Sequence, residues 1–170
     1  MINLFLKDDQ FETKGTPHTR KIVRGILFNE ENKICILSIK RNDAFGNQSY
    51  YETSGGGIDE GEDEVTALKR ELDEEVGVKT EILDKVGVVD DYYNLIARHN
   101  INNYYLARVV GKTKIHHASD GDDLIQDILW LNIDEVIKLY ENMEDKGVSL
   151  LVKRRELPIL KEAKRMMEDK

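Results

Sequence analysis

The stretch 55–78 constrains this chain more than any other. It opens on three consecutive glycines, Gly55, Gly56 and Gly57, with a fourth at Gly61 and an acidic Glu62 beside it. It closes on Arg-Glu-Leu-Asp-Glu-Glu-Val-Gly-Val at residues 70–78. At about 100° per residue, Val65, Leu68, Leu72 and Val76 fall on one apolar stripe, so the spacing predicts a helix over 63–76. Gly77 then ends it as a C′ glycine. Glu64, Glu71, Glu74 and Glu75 crowd an adjoining face, within roughly 100° of arc. Like charges at i,i+4, such as Glu71 and Glu75, cost about 0.2–0.5 kcal/mol per pair. A divalent cation turns that repulsion into ligation, because hard ions take several carboxylate oxygens at once. The glycines predict a loop free to adopt positive φ and to approach a ligand closely. Feeding a helix N-terminus, such a loop presents unpaired N–H groups to phosphate.

Gly56, five residues, Glu62, seven residues and then Arg70-Glu71-Leu72-Asp73-Glu74-Glu75-Val76-Gly77-Val78 resemble the Nudix box, G-x5-E-x7-R-E-U-x-E-E-x-G-U with U aliphatic. Every specified position is filled. The family often has proline before the first paired glycine; this chain has Ser54, which predicts a less rigid corner. The resemblance implies an α/β fold, an α/β/α sandwich around a mixed sheet, covering roughly residues 21–140. It implies metal-assisted hydrolysis of a diphosphate linkage in a nucleoside diphosphate derivative. In that scheme Glu71, Glu74 and Glu75 hold Mg²⁺, with Mn²⁺ as the alternative, and Glu62 contributes directly or through water. Arg70 orients a box glutamate, Glu75 in first place, while Gly56 and Gly57 shape the loop over the diphosphate. Lys40 and Arg41 stand where several relatives touch phosphate. The base that accepts the proton of water is Glu71 or a downstream carboxylate, for which Asp122, Asp123 and Asp127 are the candidates. Two other classes carry the same fold: an isoprenyl-diphosphate isomerase, which departs from the box and needs a reactive cysteine, and a sensing module that has lost box glutamates. The resemblance leaves monomer and homodimer open.

Composition agrees with that chemistry. Charged residues make up 34% of the 170, and the net charge is −8, which argues against a basic nucleic-acid-binding surface. An acidic protein that handles phosphates needs cations to offset the repulsion. Cys35 is the sole cysteine, so it cannot form an intramolecular disulfide, and a reducing cytoplasm is the expected setting. No run approaches the ~18 apolar residues of a membrane span. The length suits one domain, with a lead-in over 1–20, a core over 21–140 and a helical segment over 141–170.

Along the chain, strands are expected near Leu4 to Leu6, then over 21–28 and 33–40 around the polar turn at 29–32, and again over 50–53, 81–89, 103–110 and 129–131. Segment 90–102, carrying Tyr92, Tyr93, Arg98 and His99, is expected to be a connection longer than a tight hairpin, and the resemblance implies that it helps select the substrate. Cys35 is expected as a small apolar filler in its strand. His116 and His117 lie in a polar stretch, and adjacent histidines on an extended chain point apart, so a solvated loop is expected. Asn132 is expected to cap a helix over 133–144, and Leu157-Pro158 to open a final helix reaching Met167.

Overall fold

In the computed structural model, which describes residues 1–117 and 120–170, the described chain forms one mixed sheet and three α-helices. Across the sheet the order is β1 (Ile2–Leu6), β6 (Val78–Tyr93), β7 (Arg98–Lys112), β2 (His18–Phe28), β3 (Ile34–Asp43) and β4 (Gly46–Glu52). A short β5 (Ser54–Gly57) pairs with β2, and β8 (Ile125–Leu131) pairs with β3. The β1/β6 and β2/β7 pairs are parallel and the others antiparallel. The helices are α1 (Glu64–Val76), α2 (Ile133–Glu141) and α3 (Gly147–Glu168).

Two neighbouring tyrosines of β7 define the layers. Successive side chains of a strand point to opposite faces. The Tyr104 hydroxyl donates to Glu156 of α3 and the Tyr105 hydroxyl to Glu64 of α1, each at 2.7 Å. The sheet therefore lies between α1 on one face and α3 on the other, as the expected sandwich requires. Among the described residues no helix is long and apolar enough to cross a membrane.

Helix α1 begins and ends where its sequence indicates. The Asp63 carboxylate accepts from the Thr66 backbone N–H at 2.7 Å, and Gly77 takes φ 73° to close the last turn. Ala67, Leu68, Leu72 and Val76 are buried, whereas Val65, expected in the stripe, is 41% exposed. The inner face is completed instead by the carboxylates of Glu71, Glu74 and Glu75, all nearly inaccessible. Because Asp63 already satisfies an amino-terminal N–H, its replacement by alanine is expected to cost about 1 kcal/mol. A thermal melt should show a fall of roughly 2–4 °C.

Three expectations about the chain path are corrected. Residues 90–102 are not a long loop: β6 runs to Tyr93, β7 starts at Arg98, and only a 3-10 turn at Asn94–Ile96 and Ala97 connects them. The stretch looked polar because its strands bury Asp91, Asn100 and Asn102, and Asn102 donates both to Val89 O and to Asp91. Tyr92 stacks on His99 at 4.6 Å between centroids, and Tyr93 is buried. The last helix does not open at Leu157-Pro158 but at Gly147, with Pro158 inside it. Proline costs a helix interior about 3 kcal/mol, and the burial of Leu151 and Val152 before it and Ile159 and Leu160 after it holds both halves in place. Finally, Gly55, Gly56 and Gly57 are strand, not loop.

Candidate active site

The site forms where the β4–β5 corner meets the buried carboxylate face of α1. Glu156, wholly buried in α3, accepts from the Thr53 backbone N–H at 2.8 Å and from the Thr53 hydroxyl at 2.5 Å. That anchors the corner. The next two residues both reach Glu75: the Ser54 hydroxyl donates to its Oε1 at 2.6 Å and the Gly55 N–H at 3.0 Å. Ser54, expected to loosen the corner in place of proline, ties it to the helix instead. Among Gly55, Gly56 and Gly57 none has positive φ; of the four glycines ahead of the helix only Gly61 does, at 79°. Their small size answers a different need. A Cβ on Gly56 would lie 2.5 Å from the Glu71 carboxyl, and one on Gly55 would lie 2.2 Å from Val23 O.

Gly56→Ala is therefore expected to displace the Glu71 carboxylate while the sheet stays folded. Shifts of about 1 Å in a reacting group cost roughly a hundredfold in rate. Hydrolysis assays should show a loss of that order, beside a thermal midpoint close to that of the unsubstituted protein.

Arg70 organises the other side of the carboxylate face. Its Nε and Nη2 clamp Glu62 at 2.8 and 2.9 Å, and its Nη1 donates to Glu71 at 2.9 Å. Glu74 stands 3.5 Å from Nη1, and Nη2 also donates to Gly57 O at 3.1 Å. The expected preference for Glu75 is thus corrected: Arg70 holds Glu62, Glu71 and Glu74, because Glu75 is turned to Ser54 and Gly55. Arg70, hydrogen-bonded to the carboxylate, brings Glu62 down to about 2. Glu64, grouped with these residues by the helical wheel, turns away to Lys85 and Tyr105.

Burial sets the ionisation of the inner carboxyls. It raises Glu71 above the ordinary range despite Arg70, with Glu74 and Asp122 adding to the rise. Glu75 is pushed up to about 9, first by burial and then by its hydrogen bond with Asp122. Asp122 is buried to 2% exposure, whereas Asp123 and Asp127 are exposed. Of the three downstream candidates only Asp122 reaches the site. At the N-terminus of α1, where an anion seat was expected, the Asp63 carboxylate accepts from the Thr66 N–H.

Glu71, Glu75, Asp122, Gly55 and Gly56 line a cavity of about 250 Å³. Five arginines line the same cavity: Arg20 and Arg24 of β2, Arg41 of β3, Arg98 of β7 and Arg155 of α3. Arg41 was expected here. Lys40, its partner in that expectation, is exposed and does not line the cavity, since adjacent strand residues face opposite ways. Arg24 is paired with Glu52, Arg41 with Asp43, and Arg155 with Asp91. Burial and the charges of Arg98 and Arg24 depress Arg20 below the usual guanidinium range. For Arg20 and Arg24 the sequence signal is the strand alternation Arg20-x-Ile22-x-Arg24; Arg98 was named only as part of the segment 90–102, and Arg155, on a distant helix, carried none. His116 and His117 are exposed, outside the cavity.

The NUDIX domain family model matches residues 18–153, and the chain belongs to that family. It is accordingly a hydrolase of the pyrophosphatase kind, acting on acid anhydrides of phosphorus. Similar solved structures include a MutT protein from Methanosarcina mazei Go1, at 17% identity and TM-score 0.63, covering 91% of this chain and 98% of that one. The E. coli ORF135 protein is 18% identical at TM-score 0.61, covering 89% and 92%. A C. elegans Ap4A hydrolase is 15% identical at TM-score 0.57, covering 89% and 99%. At these identities the likeness is one of fold. No curated protein matches the sequence.

Proposed function

We propose that the protein hydrolyses a diphosphate linkage in a nucleoside diphosphate derivative, with Mg²⁺ or Mn²⁺ as cofactor. One observation carries this reading: Glu71 and Glu75 are buried against Gly55 and Gly56 on the wall of an arginine-lined cavity. Among the described residues no three acidic, histidine or cysteine side chains converge as a ready cation cage, since Glu62 and Glu71 are turned onto Arg70 and Glu75 onto Ser54. The donor set nevertheless fits a hard divalent ion. The Glu74 Oε2 atom is buried with no hydrogen-bond partner. Burial, and then the hydrogen bond with Asp122, raise Glu75 above the ordinary carboxyl range, a cost to the charged form that a divalent cation relieves.

Glu71, Glu74 and Glu75, with Glu62, would hold the ion, which when bound neutralises phosphate charge and acidifies a water. The remaining work falls to the chain. Arg20 and Arg98 carry positive charge to the phosphates. Gly55 and Gly56 keep the Glu75 and Glu71 carboxyls close against the cavity wall. Asp122, beside Glu75 in the cavity, or Glu71 takes the proton of the attacking water. The isomerase alternative lacks support, because Cys35 is wholly buried, lies outside the cavity and has its thiol pushed up by burial. The sensing alternative predicts missing box glutamates, and all are present.

The test is a panel of nucleoside triphosphates, nucleotide sugars and dinucleoside polyphosphates, assayed with Mg²⁺ and with a chelator. Turnover of at least one compound, abolished by the chelator, is expected. Turnover that is indifferent to the chelator rejects the proposal.

A further inference from the structure

Of the five arginines that line the cavity, three are matched by carboxylates: Arg24 by Glu52, Arg41 by Asp43 and Arg155 by Asp91. Arg20 and Arg98 are not. Among the described residues neither has an ion pair or a side-chain hydrogen bond. Arg20 feels the charges of Arg98 and Arg24 more strongly than those of Glu71 and Glu52, so holding these cations together costs the fold stability. They share one face of the sheet: Arg20 is in register with Asn100, and Arg98 stands two residues before Asn100 on β7. A Cβ on Gly57 would lie 2.9 Å from Arg20 Nη2, which brings that guanidinium up to the glycine strand beside Glu71. Asn100 is 2% exposed, and its Oδ1 is buried without a partner. Arg24 Nε and Arg155 Nη2 are likewise buried without a hydrogen-bond acceptor. An exposed arginine by itself needs no partner. Two on one cavity wall, beside buried polar atoms that are left unbonded, point to a ligand.

We infer that Arg20 and Arg98, with Asn100, Arg24 and Arg155 beside them, seat a phosphomonoester, so that the substrate carries one in addition to the diphosphate linkage that is cut. The inference rests on the proposed hydrolysis and narrows its substrate class. A monoester phosphate has a charge of about −1.5 to −2 near pH 7 and three acceptor oxygens; a phosphate bridged on both sides has fewer of each. Two guanidiniums without counter-charges match the monoester, and their N–H forks suit its oxygens. Asn100 adds an N–H once its amide is turned over. The wall gives less to an uncharged ring. Among the described residues its aromatic members are Tyr50 and Tyr93, both packed in the core with their hydroxyls held by Arg41 and Arg155. Nucleotide sugars and dinucleoside polyphosphates have no phosphomonoester and would leave the arginine pair unmatched. Two chemical positions supply the group: the free end of a phosphate chain, or a phosphorylated hydroxyl elsewhere on a capped compound.

The experiment has two arms. In the first, kcat/KM with Mg²⁺ is compared within matched pairs. Uridine triphosphate against uridine diphosphate glucose tests the chain end; coenzyme A against dephospho-coenzyme A, and NADPH against NADH, test the hydroxyl position. In at least one pair the monoester-bearing member is expected to exceed the other by about tenfold or more, and the responding pair identifies the position. Arg20→Gln and Arg98→Gln are each expected to bring that ratio close to one. Arg20 is exposed and Arg98 half-buried, so both variants should fold. Arg98→Lys, which keeps the charge but not the fork, should lie between. In the second arm, binding of methyl phosphate and dimethyl phosphate to metal-free protein is followed by calorimetry. Methyl phosphate is expected to bind tighter by about tenfold or more, with the gap lost in both glutamine variants. That result, with no hydrolysis of any compound, would uphold the seat and reject the proposed reaction; equal binding of the two phosphates, again with no hydrolysis, overturns the seat. Metal-dependent hydrolysis at equal kcat/KM within every pair, or a preference that both substitutions leave intact, overturns the seat and leaves the hydrolase standing.

Discussion

Glu75→Gln is expected to lower kcat/KM by about a thousandfold, a loss of roughly 4 kcal/mol of transition-state stabilisation. The substitution keeps shape: glutamine presents an oxygen to the Ser54 hydroxyl and the Gly55 N–H that now bond Glu75. What it removes is the ability to carry negative charge beside Glu71 and Asp122. Stability should move the other way in metal-free protein. The Glu75 pKa is raised on folding from 4.5 to about 9 by burial and then by Asp122. A folded-state pKa above the unfolded one means that the native protein binds the proton more tightly, so its contribution is complete below about pH 4.5 and is lost as the pH climbs toward 9. Metal-free protein should therefore melt progressively lower across that window. Glu75→Gln, with no proton to lose, should show a flatter profile and equal or higher stability at neutral pH. Kinetics and melting curves on the same preparation separate this from simple misfolding, which would depress both.

The largest stability effect is expected at Glu156. Its carboxylate accepts from the Thr53 N–H and hydroxyl and from the hydroxyls of Tyr104 and Tyr140, the last two at 2.7 Å. Burial by itself would raise its pKa, but the charges of Arg155 and Arg24 hold it below the usual range. Glu156→Ala leaves four buried donors unpaired and the buried Arg155 short of one counter-charge. Breaking a buried ionic arrangement from one side costs about 3–5 kcal/mol. In a chain of this size the thermal midpoint should fall by roughly 10 °C. Activity should fall as well, because Thr53 leads directly into the Ser54–Gly55 pair that holds Glu75. Glu156→Gln, which keeps the shape and part of the bonding, should lie between the two in a urea titration. A Glu156→Ala protein as stable as the parent would show that the network is incidental.

These effects also show what could be read from the sequence. The box located helix α1, its glycine stop and the acidic face, because those depend on local spacing. The roles of two of its members depend on tertiary contact and were not legible. Gly56 is small so that Glu71 can lie against it, not so that a loop can turn, and spacing cannot distinguish these. Arg70 faces Glu62 rather than Glu75 because the chain between them folds back onto the helix. The polar run at 90–102 read as a loop because buried asparagines and aspartates look like surface residues until their cross-strand partners are known. Arg98 and Arg155 joined the cavity from β7 and α3, some 57 residues apart in sequence, and neither stands in a motif. Pro158 misled for the opposite reason: a strong local rule was outweighed by burial on both sides of it.

The central claim is that the carboxylates gathered on α1 hold a divalent cation. The direct measurement is a titration of metal-free protein with Mn²⁺, followed by the loss of the free-ion electron paramagnetic resonance signal. The account predicts saturable binding in the parent, weakened by about tenfold or more in Glu71→Gln, Glu74→Gln and Glu75→Gln, with unchanged binding in Glu64→Gln, whose side chain turns away to Lys85. Equal Mn²⁺ affinity in all five proteins would contradict it.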